Sequence, residues 1–289
     1  MKMTLHMKDA VDQHVHFLRM TGKSDNTVSQ ATYKFARFQK LMGQNGTLDD
    51  FKTRQDVMPY INALRSEGCQ PVTINNYLSA LRGLYDWAIT EQLVTHNPFH
   101  HLRVKVTERP PSDVPTPSAL HRVIDAIDVP LYRTFLTLQL HTGMRINEVR
   151  QLTLDAIDLN ARLLYIHESK TGKPRKVPLN DVTHAMMTTY LEEERRCIDS
   201  PYVFPSARGD LICKTTINRH LKRAAEDVLG TSVTSHTLRH AFTSHLYDMG
   251  VKETTLSELL GHSEPKTTRR YIRVREDHLR DAVERLTLE

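Results

Sequence analysis

The sequence predicts a mainly α-helical fold with a small β-hairpin or sheet, divided into an all-helical N-terminal domain and a mixed α+β domain. Three observations predict it. Apolar residues recur at helical spacing through most of the chain, a proline-rich stretch interrupts them after Asn97-Pro98, and a β-like period appears between residues 163 and 179. A chain of 289 residues is long enough to bury a core in each half.

Segments 5–20, 26–42 and 54–67 read as helices, with Gly22, Gly43 and Gly68 as stops. The strongest periodic signal follows, in Ile74, Tyr77, Leu78, Leu81, Leu84, Tyr85 and Ala88, with Pro71 at the start where a missing N–H costs nothing. The polar side of this helix carries Thr73, Asn75, Asn76, Ser79 and Arg82. Thr73, Asn76 and Arg82 are candidate contacts to phosphates or base edges, although a solvated face explains the same pattern. From His100 to Pro117 the periodicity lapses among Arg103, Lys105, Arg109 and four prolines, an extended basic linker signal. The expected organisation is a helical domain over 1–104, a basic, proline-rich linker over 105–116 and a second domain over 117–289.

In that second domain helices are expected at 118–127 and 131–142. The runs Leu163-Leu164-Tyr165-Ile166-His167 and Lys176-Val177-Pro178-Leu179 then flank Lys170-Thr171-Gly172-Lys173 and read as a hairpin. Further helices are expected at 181–195, 214–228, 236–249, 253–260 and 265–285. No internal repeat or low-complexity segment is present.

Composition narrows the class. Apolar content of 39% with 25% charged residues is that of an ordinary globular chain. No apolar run approaches the ~18 residues of a membrane span, and charge interrupts the apolar N-terminal stretch, against a secretory signal. Cys69, Cys197 and Cys213 are scattered, forming neither a disulfide framework nor a Cys-x-x-Cys metal site, as suits a reducing cytoplasm. The net charge of +5 favours a polyanionic partner. It is spread over both halves, 13 Lys+Arg against 10 Asp+Glu in residues 1–108 and 26 against 24 in the rest. The densest basic cluster is Lys170, Lys173, Arg175 and Lys176; Lys173 and Arg175 are candidate DNA contacts, with a solvated charged turn as the plain alternative.

The chemistry-bearing residues lie in the second half. Arg145 follows Thr142-Gly143-Met144, where a glycine permits a sharp turn into a helix start. Arg239 lies three residues after His236, on one helix face. A guanidinium donates bidentate bonds and stays charged at any working pH, which suits the oxygens of a phosphodiester under attack. His236 and His240, four apart, also suit metal ligation, but residue 237 is Thr where a zinc protease needs Glu, and no further ligands suggest themselves. No metal or other cofactor is expected, and His240 reads as a packing residue behind the site. Tyr271 is one of ten tyrosines; as a nucleophile its phenol needs cationic surroundings or a base, and Arg269, Arg270, Arg273 and His262 are near in sequence. Lys170, on the hairpin, is placed to protonate a leaving oxygen.

Arg145 in Thr-Gly-Met-Arg, His236-x-x-Arg239-His240, Gly261-His262 and Tyr271 follow in order and spacing the signature of the tyrosine recombinase (phage integrase) family. The resemblance extends through Glu148, Leu152, the Ser169-Lys170-Thr171-Gly172 hairpin, Val177-Pro178-Leu179 and Tyr271-Ile272-Arg273-Val274. It covers nearly the whole chain, most securely 116–275. It implies a core-binding helical domain joined to a catalytic domain, in a two-domain form without an arm-binding domain. Tyr271 would attack the scissile phosphate, giving a 3′-phosphotyrosyl link. Arg145 and Arg239 would hold the non-bridging oxygens, with His236 as general base, His262 as a further donor and Lys170 as general acid. Glu148 and His240 would support this shell.

The implied partners are double-stranded DNA with paired core sites and further copies of the chain, as a tetramer on DNA. Accessory directionality or bending proteins fit the same scheme, no membrane does, and the expected location is cytoplasmic, nucleoid-associated when bound to DNA. The expected role is integration or excision of a phage or mobile element. The alternatives are Xer-type chromosome-dimer resolution, a type IB topoisomerase, and a DNA-binding protein that has lost catalysis. Relatives often carry Ser or Gly where Asn147 stands.

Overall fold

The computed structural model describes residues 5–43, 46–107, 114–167, 174–195 and 198–261. The chain forms two compact units, Met1–Pro111 and Ser112–Glu289.

The first unit consists, among its described residues, of helices and short turns. α1 (Met7–Met20) and α2 (Asp25–Met42) are followed by α3 (Arg54–Ser66) and α4 (Pro71–Thr90). Local chemistry sets the starts. The Ser24 hydroxyl accepts from the Thr27 amide ahead of α2, and Asp56 accepts from the Lys52 and Thr53 amides ahead of α3. Inside, Phe38 meets the rings of Phe51, Tyr60 and Phe99 edge-on at 5.2, 4.9 and 5.8 Å. Ile74, Tyr77, Leu78, Leu81, Leu84, Tyr85 and Ala88 of α4 are all buried against this cluster, as their period requires.

The chain after α4 departs from the expected loose linker. Phe99 is fully buried, and Leu102 and Val104 pack on the same core. Asn75 makes a two-way bond with Val104, its amide nitrogen donating to the carbonyl and its oxygen accepting from the amide, both at 2.9 Å. Arg82 donates from Nε to Phe99 O and from Nη2 to Leu102 O, each at 3.1 Å. Asn75 and Arg82 are two turns apart, so they form one stripe on which the segment lies. Arg82, expected as a DNA contact, is therefore half-buried and fixes the chain's own backbone, whereas Thr73 and Asn76 are exposed.

In the second unit α5 (Pro117–Asp125) and α6 (Pro130–Thr142) precede a five-residue helix, α7 (Ile146–Arg150). The described strands, β1 (Ile157–Asp158), β2 (Leu163–Ile166) and β3 (Arg175–Pro178), form an antiparallel sheet in sequence order. β2 and β3 pair Leu164 with Val177 and Ile166 with Arg175. Then come α8 (Asp181–Thr189), α9 (Lys214–Leu229), α10 (Ser235–Asp248) and α11 (Glu253–Leu260). α6 is the hub: Phe135, Leu136, Leu138 and Leu140 are buried on more than one side, and α10 packs along it.

Helix and hairpin positions agree with the sequence reading to within a few residues. The predicted 181–195 helix is α8 continued by one π-turn, Tyr190–Glu194, in which Tyr190 donates to Val203 O at 3.2 Å and meets the Phe204 ring at 5.1 Å with a 31° tilt. β1, two residues long, and α7 are too short to show a period. The helix expected at 265–285 lies outside the described residues. No described helix is long and apolar enough to cross a membrane.

Arg82 generates a prediction. Trp87, the single tryptophan, sits in the first unit's core, so its fluorescence reports that unit's unfolding. Arg82→Met removes two charge-assisted bonds to buried carbonyls, and the urea transition should lose roughly 2 kcal/mol. A transition within about 0.3 kcal/mol of wild type would show that the stripe does not hold the segment.

Candidate active site

Four segments of the second unit converge on one carboxylate. α6 ends in Gly143, whose left-handed φ of 62° turns the chain sharply. No side chain would fit there even without that angle, because a Cβ would fall inside van der Waals contact of the Phe242 ring and 3.0 Å from Leu260. The turn delivers Arg145 to the N-cap of α7, and the buried Gln139 side chain donates to Met144 O at 3.2 Å within it. Glu148, three residues on, accepts from the Arg145 amide at 2.7 Å, a capping-box bond, and from Arg145 Nη1 at 2.9 Å.

Two further arginines reach this carboxylate from other elements. Arg175, at the start of β3, donates from Nη1 and Nη2 to the two Glu148 oxygens at 3.1 and 2.8 Å, and from Nε to Leu259 O at 2.7 Å. Arg239, on α10, places Nη1 3.9 Å from Glu148 Oε2. Its Nη1 and Nη2 donate to Gly143 O and Leu260 O at 2.6 and 2.9 Å. The last carbonyls of α11 are thus capped by guanidinium groups, which also meet the negative end of its dipole. The chain leaves α11 through Gly261, left-handed at φ 62°, where a Cβ would stand 2.8 Å from Arg175 Nη1.

Among the described residues three guanidinium charges surround one carboxylate, so that set of groups is cationic. Burial pushes the Glu148 carboxyl up, but the bonds and charge of Arg175 and then of Arg145 outweigh it and hold the group at about 2. The Arg145 side chain is 29% exposed while that of Arg239 is 2% exposed, so the cluster is open on the Arg145 side. His236 begins α10 at the open side. Partial burial, then the charges of Arg239 and Arg145, lower its pKa below the ordinary imidazole value and favour the neutral ring. Such an arrangement can bind an anion at Arg145 with a proton acceptor beside it.

The structure brings together Arg145, Glu148, His236 and Arg239, with the half-buried His240 one residue beyond Arg239. Lys170, Lys173, His262 and Tyr271 lie outside the described residues. One expectation is corrected. Arg175 is not an exposed DNA contact; its side chain is 7% exposed and is committed to Glu148 and Leu259. A linear count of basic residues cannot separate an inward from an outward arginine. Strand parity can: Arg175 shares a face with the buried Val177, while Lys176 points out beside the Tyr165 ring. Gln139 was not singled out by the sequence, since a lone polar residue in an apolar helix carries no motif. Among the described residues no group of three or more His, Cys, Asp or Glu side chains could hold a metal ion.

Comparison with known proteins adds the following. Residues 116–278 match the Phage integrase family and residues 11–92 its N-terminal SAM-like domain. The chain is 29% identical over 287 residues to the tyrosine recombinase XerA of Pyrococcus furiosus, covering 97% of this chain and 94% of that protein. Its fold is that of lambda integrase residues 75–356, solved as a dimer bound to a COC′ core site, with TM-score 0.77, 20% identity and coverage of 93% and 95% of the two chains. A lambda integrase tetramer bound to a Holliday junction gives TM-score 0.74, 20% identity and coverage of 91% and 79%.

The close approach at Gly143 is directly testable. Gly143→Ala must adopt a left-handed backbone and displace Phe242, so the second unit should lose on the order of 3 kcal/mol. Far-ultraviolet circular dichroism during thermal unfolding measures it; an unchanged midpoint would mean that the turn is not under this constraint.

Proposed function

We propose, from the premise that this chain belongs to the phage integrase family and is a tyrosine-type site-specific DNA recombinase, that the cationic cluster around Glu148 binds the scissile phosphate. The observation that carries this reading is the excess of guanidinium over carboxylate charge at an opening beside a neutral imidazole. In this reading Arg145 and Arg239 stabilise the charge that gathers on the non-bridging oxygens. His236 accepts the phenolic proton, and the Tyr271 oxygen attacks phosphorus. The bond to the 5′ oxygen breaks, Lys170 protonates that oxygen, and a 3′-phosphotyrosyl link remains, with His262 as a further donor to the phosphate. Attack by a 5′-hydroxyl of a partner strand reverses the steps and releases Tyr271. One phosphoester replaces another throughout, so no external energy source is needed.

The organisation that goes with this chemistry is a core-binding domain over 1–104, a linker over 105–116 and a catalytic domain over 117–289. The exposed Thr73 and Asn76 on α4 and the hairpin residue Lys173 serve as DNA contacts, and Glu148 and His240 support the catalytic groups. The substrate is duplex DNA with paired core sites, bound by four copies of the chain; the lambda integrase tetramer on a Holliday junction supports that assembly. Accessory bending or directionality proteins, and a cytoplasmic, nucleoid-bound location, complete the proposal. The role is integration or excision of a mobile element. Xer-type dimer resolution is the second reading, favoured by likeness to XerA along nearly the whole of both chains. Genomic attachment repeats beside the gene distinguish the first from the second.

Two experiments test the chemistry. Incubation with suicide duplexes bearing candidate core sites should trap a covalent protein–DNA adduct that Tyr271→Phe abolishes. A wild type without adduct on every site, or a Tyr271→Phe variant that retains it, removes the assignment. Lys170→Ala should slow cleavage of an ordinary 5′ oxygen by roughly 100-fold or more, yet barely slow that of a 5′-bridging phosphorothiolate. Equal slowing of the two would take the general-acid role away from Lys170.

A further inference from the structure

Arg175 pairs with Glu148 and has no part in the proposed chemistry. We infer that Arg175 is a positioning residue for DNA cleavage, holding the Glu148 carboxylate so that Arg145 and Arg239 stay aimed at the phosphate. This inference rests on the roles proposed for those two arginines. Glu148 offers four lone-pair directions to its surroundings, and all four are used. Arg145 takes one on each oxygen, through Nη1 and its backbone amide, and Arg175 takes the other two. Half of what fixes the carboxylate therefore comes from β3.

The same guanidinium ties down the end of α11. Its Nε bond to Leu259 O and its contact with Gly261 leave no slack between β3 and the helix end. In sequence, Arg175 lies five residues after Lys170, and Gly261 immediately precedes His262. One side chain thus joins the bases of the two segments that carry these residues to the carboxylate that orients Arg145. Lysine cannot substitute fully, since an ammonium has no planar fork to serve both carboxylate oxygens and a third acceptor.

Removing Arg175 changes the protonation of Glu148. The charged groups facing it are Arg145 from α7, Arg175 from β3 and Arg239 from α10; Tyr165, His167 and Tyr202 line the adjoining recess of about 330 Å³. With Arg175 in place the carboxyl, held at about 2, stays ionised across the working range. Without it the largest interactions that stabilise the charged form are lost, and the carboxyl takes up a proton at higher pH than in wild type. A protonated Glu148 is neutral and holds the Arg145 guanidinium without the charge that strengthens these bonds.

The test compares wild type, Arg175→Met, Arg175→Lys and the double variant Glu148→Gln/Arg175→Met in single-turnover cleavage of suicide duplexes from about pH 5 to 8. Arg175→Met should cleave roughly tenfold or more slowly, with a deficit that deepens as pH falls. Arg175→Lys should recover part of the rate, and the double variant should lack the added acid limb. DNA affinity and its salt dependence should match wild type; a fall of the logarithmic salt slope by about 1 would mean a phosphate contact instead. A wild-type rate, or a deficit equal at every pH, overturns the inference.

Thermal unfolding supplies a readout independent of catalysis. In wild type the folded carboxyl is held below its unfolded value, so its ionisation contributes stability that grows as pH rises from acid. Arg175→Met loses part of that contribution, so the gap in Tm should widen with rising pH. A flat gap overturns the part given to Arg175, whereas a widening gap with no wild-type adduct overturns the catalytic roles instead. Should Arg175→Met fail to fold, Arg175→Lys carries both tests with a smaller acid shift.

Discussion

The buried carboxylate of Glu148 fixes where three arginines stand. Three parts of the chain far apart in sequence contribute a guanidinium to it, at positions 145, 175 and 239. A lone ionised carboxylate at 3% exposure would be strongly unfavourable, and removal of one partner from such a pair costs roughly 3–5 kcal/mol. Stability alone does not explain the design, because apolar residues of similar volume fill a core equally well. What the carboxylate achieves is orientation, and it leaves the cluster with more positive than negative charge. Among the three, Arg145 is the most exposed.

The arginines are held largely by backbone. Arg239 donates to Gly143 O and Leu260 O, and Arg175 to Leu259 O. Carbonyls at a helix end and in a tight turn move far less than side chains do, so the charges are placed before any substrate binds. Preorganisation of this kind is where electrostatic stabilisation of a transition state gains most over water. Glu148 then links the most buried guanidinium to the most exposed one.

Much of this was legible in the sequence, and the failures share one cause. The core face of α4 follows from apolar period alone, since only one face of a helix can be buried there. Arg145, His236 and Arg239 are singled out by motif order and spacing, which need no knowledge of geometry, and the structure places them near one another. Arg82 reads in the sequence as a fork facing outward and Arg175 as part of a charge cluster, whereas each donates to the chain's own groups. Arg175 lies on the strand face of Val177, so for it face assignment carries more information than charge density. The return of residues 97–104 along α4 was invisible for another reason: it depends on Asn75 and Arg82 pairing with backbone, which no periodicity encodes.

Two glycines show how the geometry is reached. At Gly143 the absent Cβ lets Phe242 and Leu260 close over the turn that carries Arg145, and at Gly261 it lets the Arg175 guanidinium lie against the backbone. Both residues also need a left-handed φ, so a replacement would be strained twice, once in torsion and once in space. The left-handed turns end α6 and α11 at the same place, which is why carbonyls from both helix ends lie within reach of Arg239. An arginine that must serve two helix ends cannot also wander in solvent. The arginine cluster therefore rests on two places where the chain gives up side chains altogether, so that backbones can approach closely enough for one buried guanidinium to bond both.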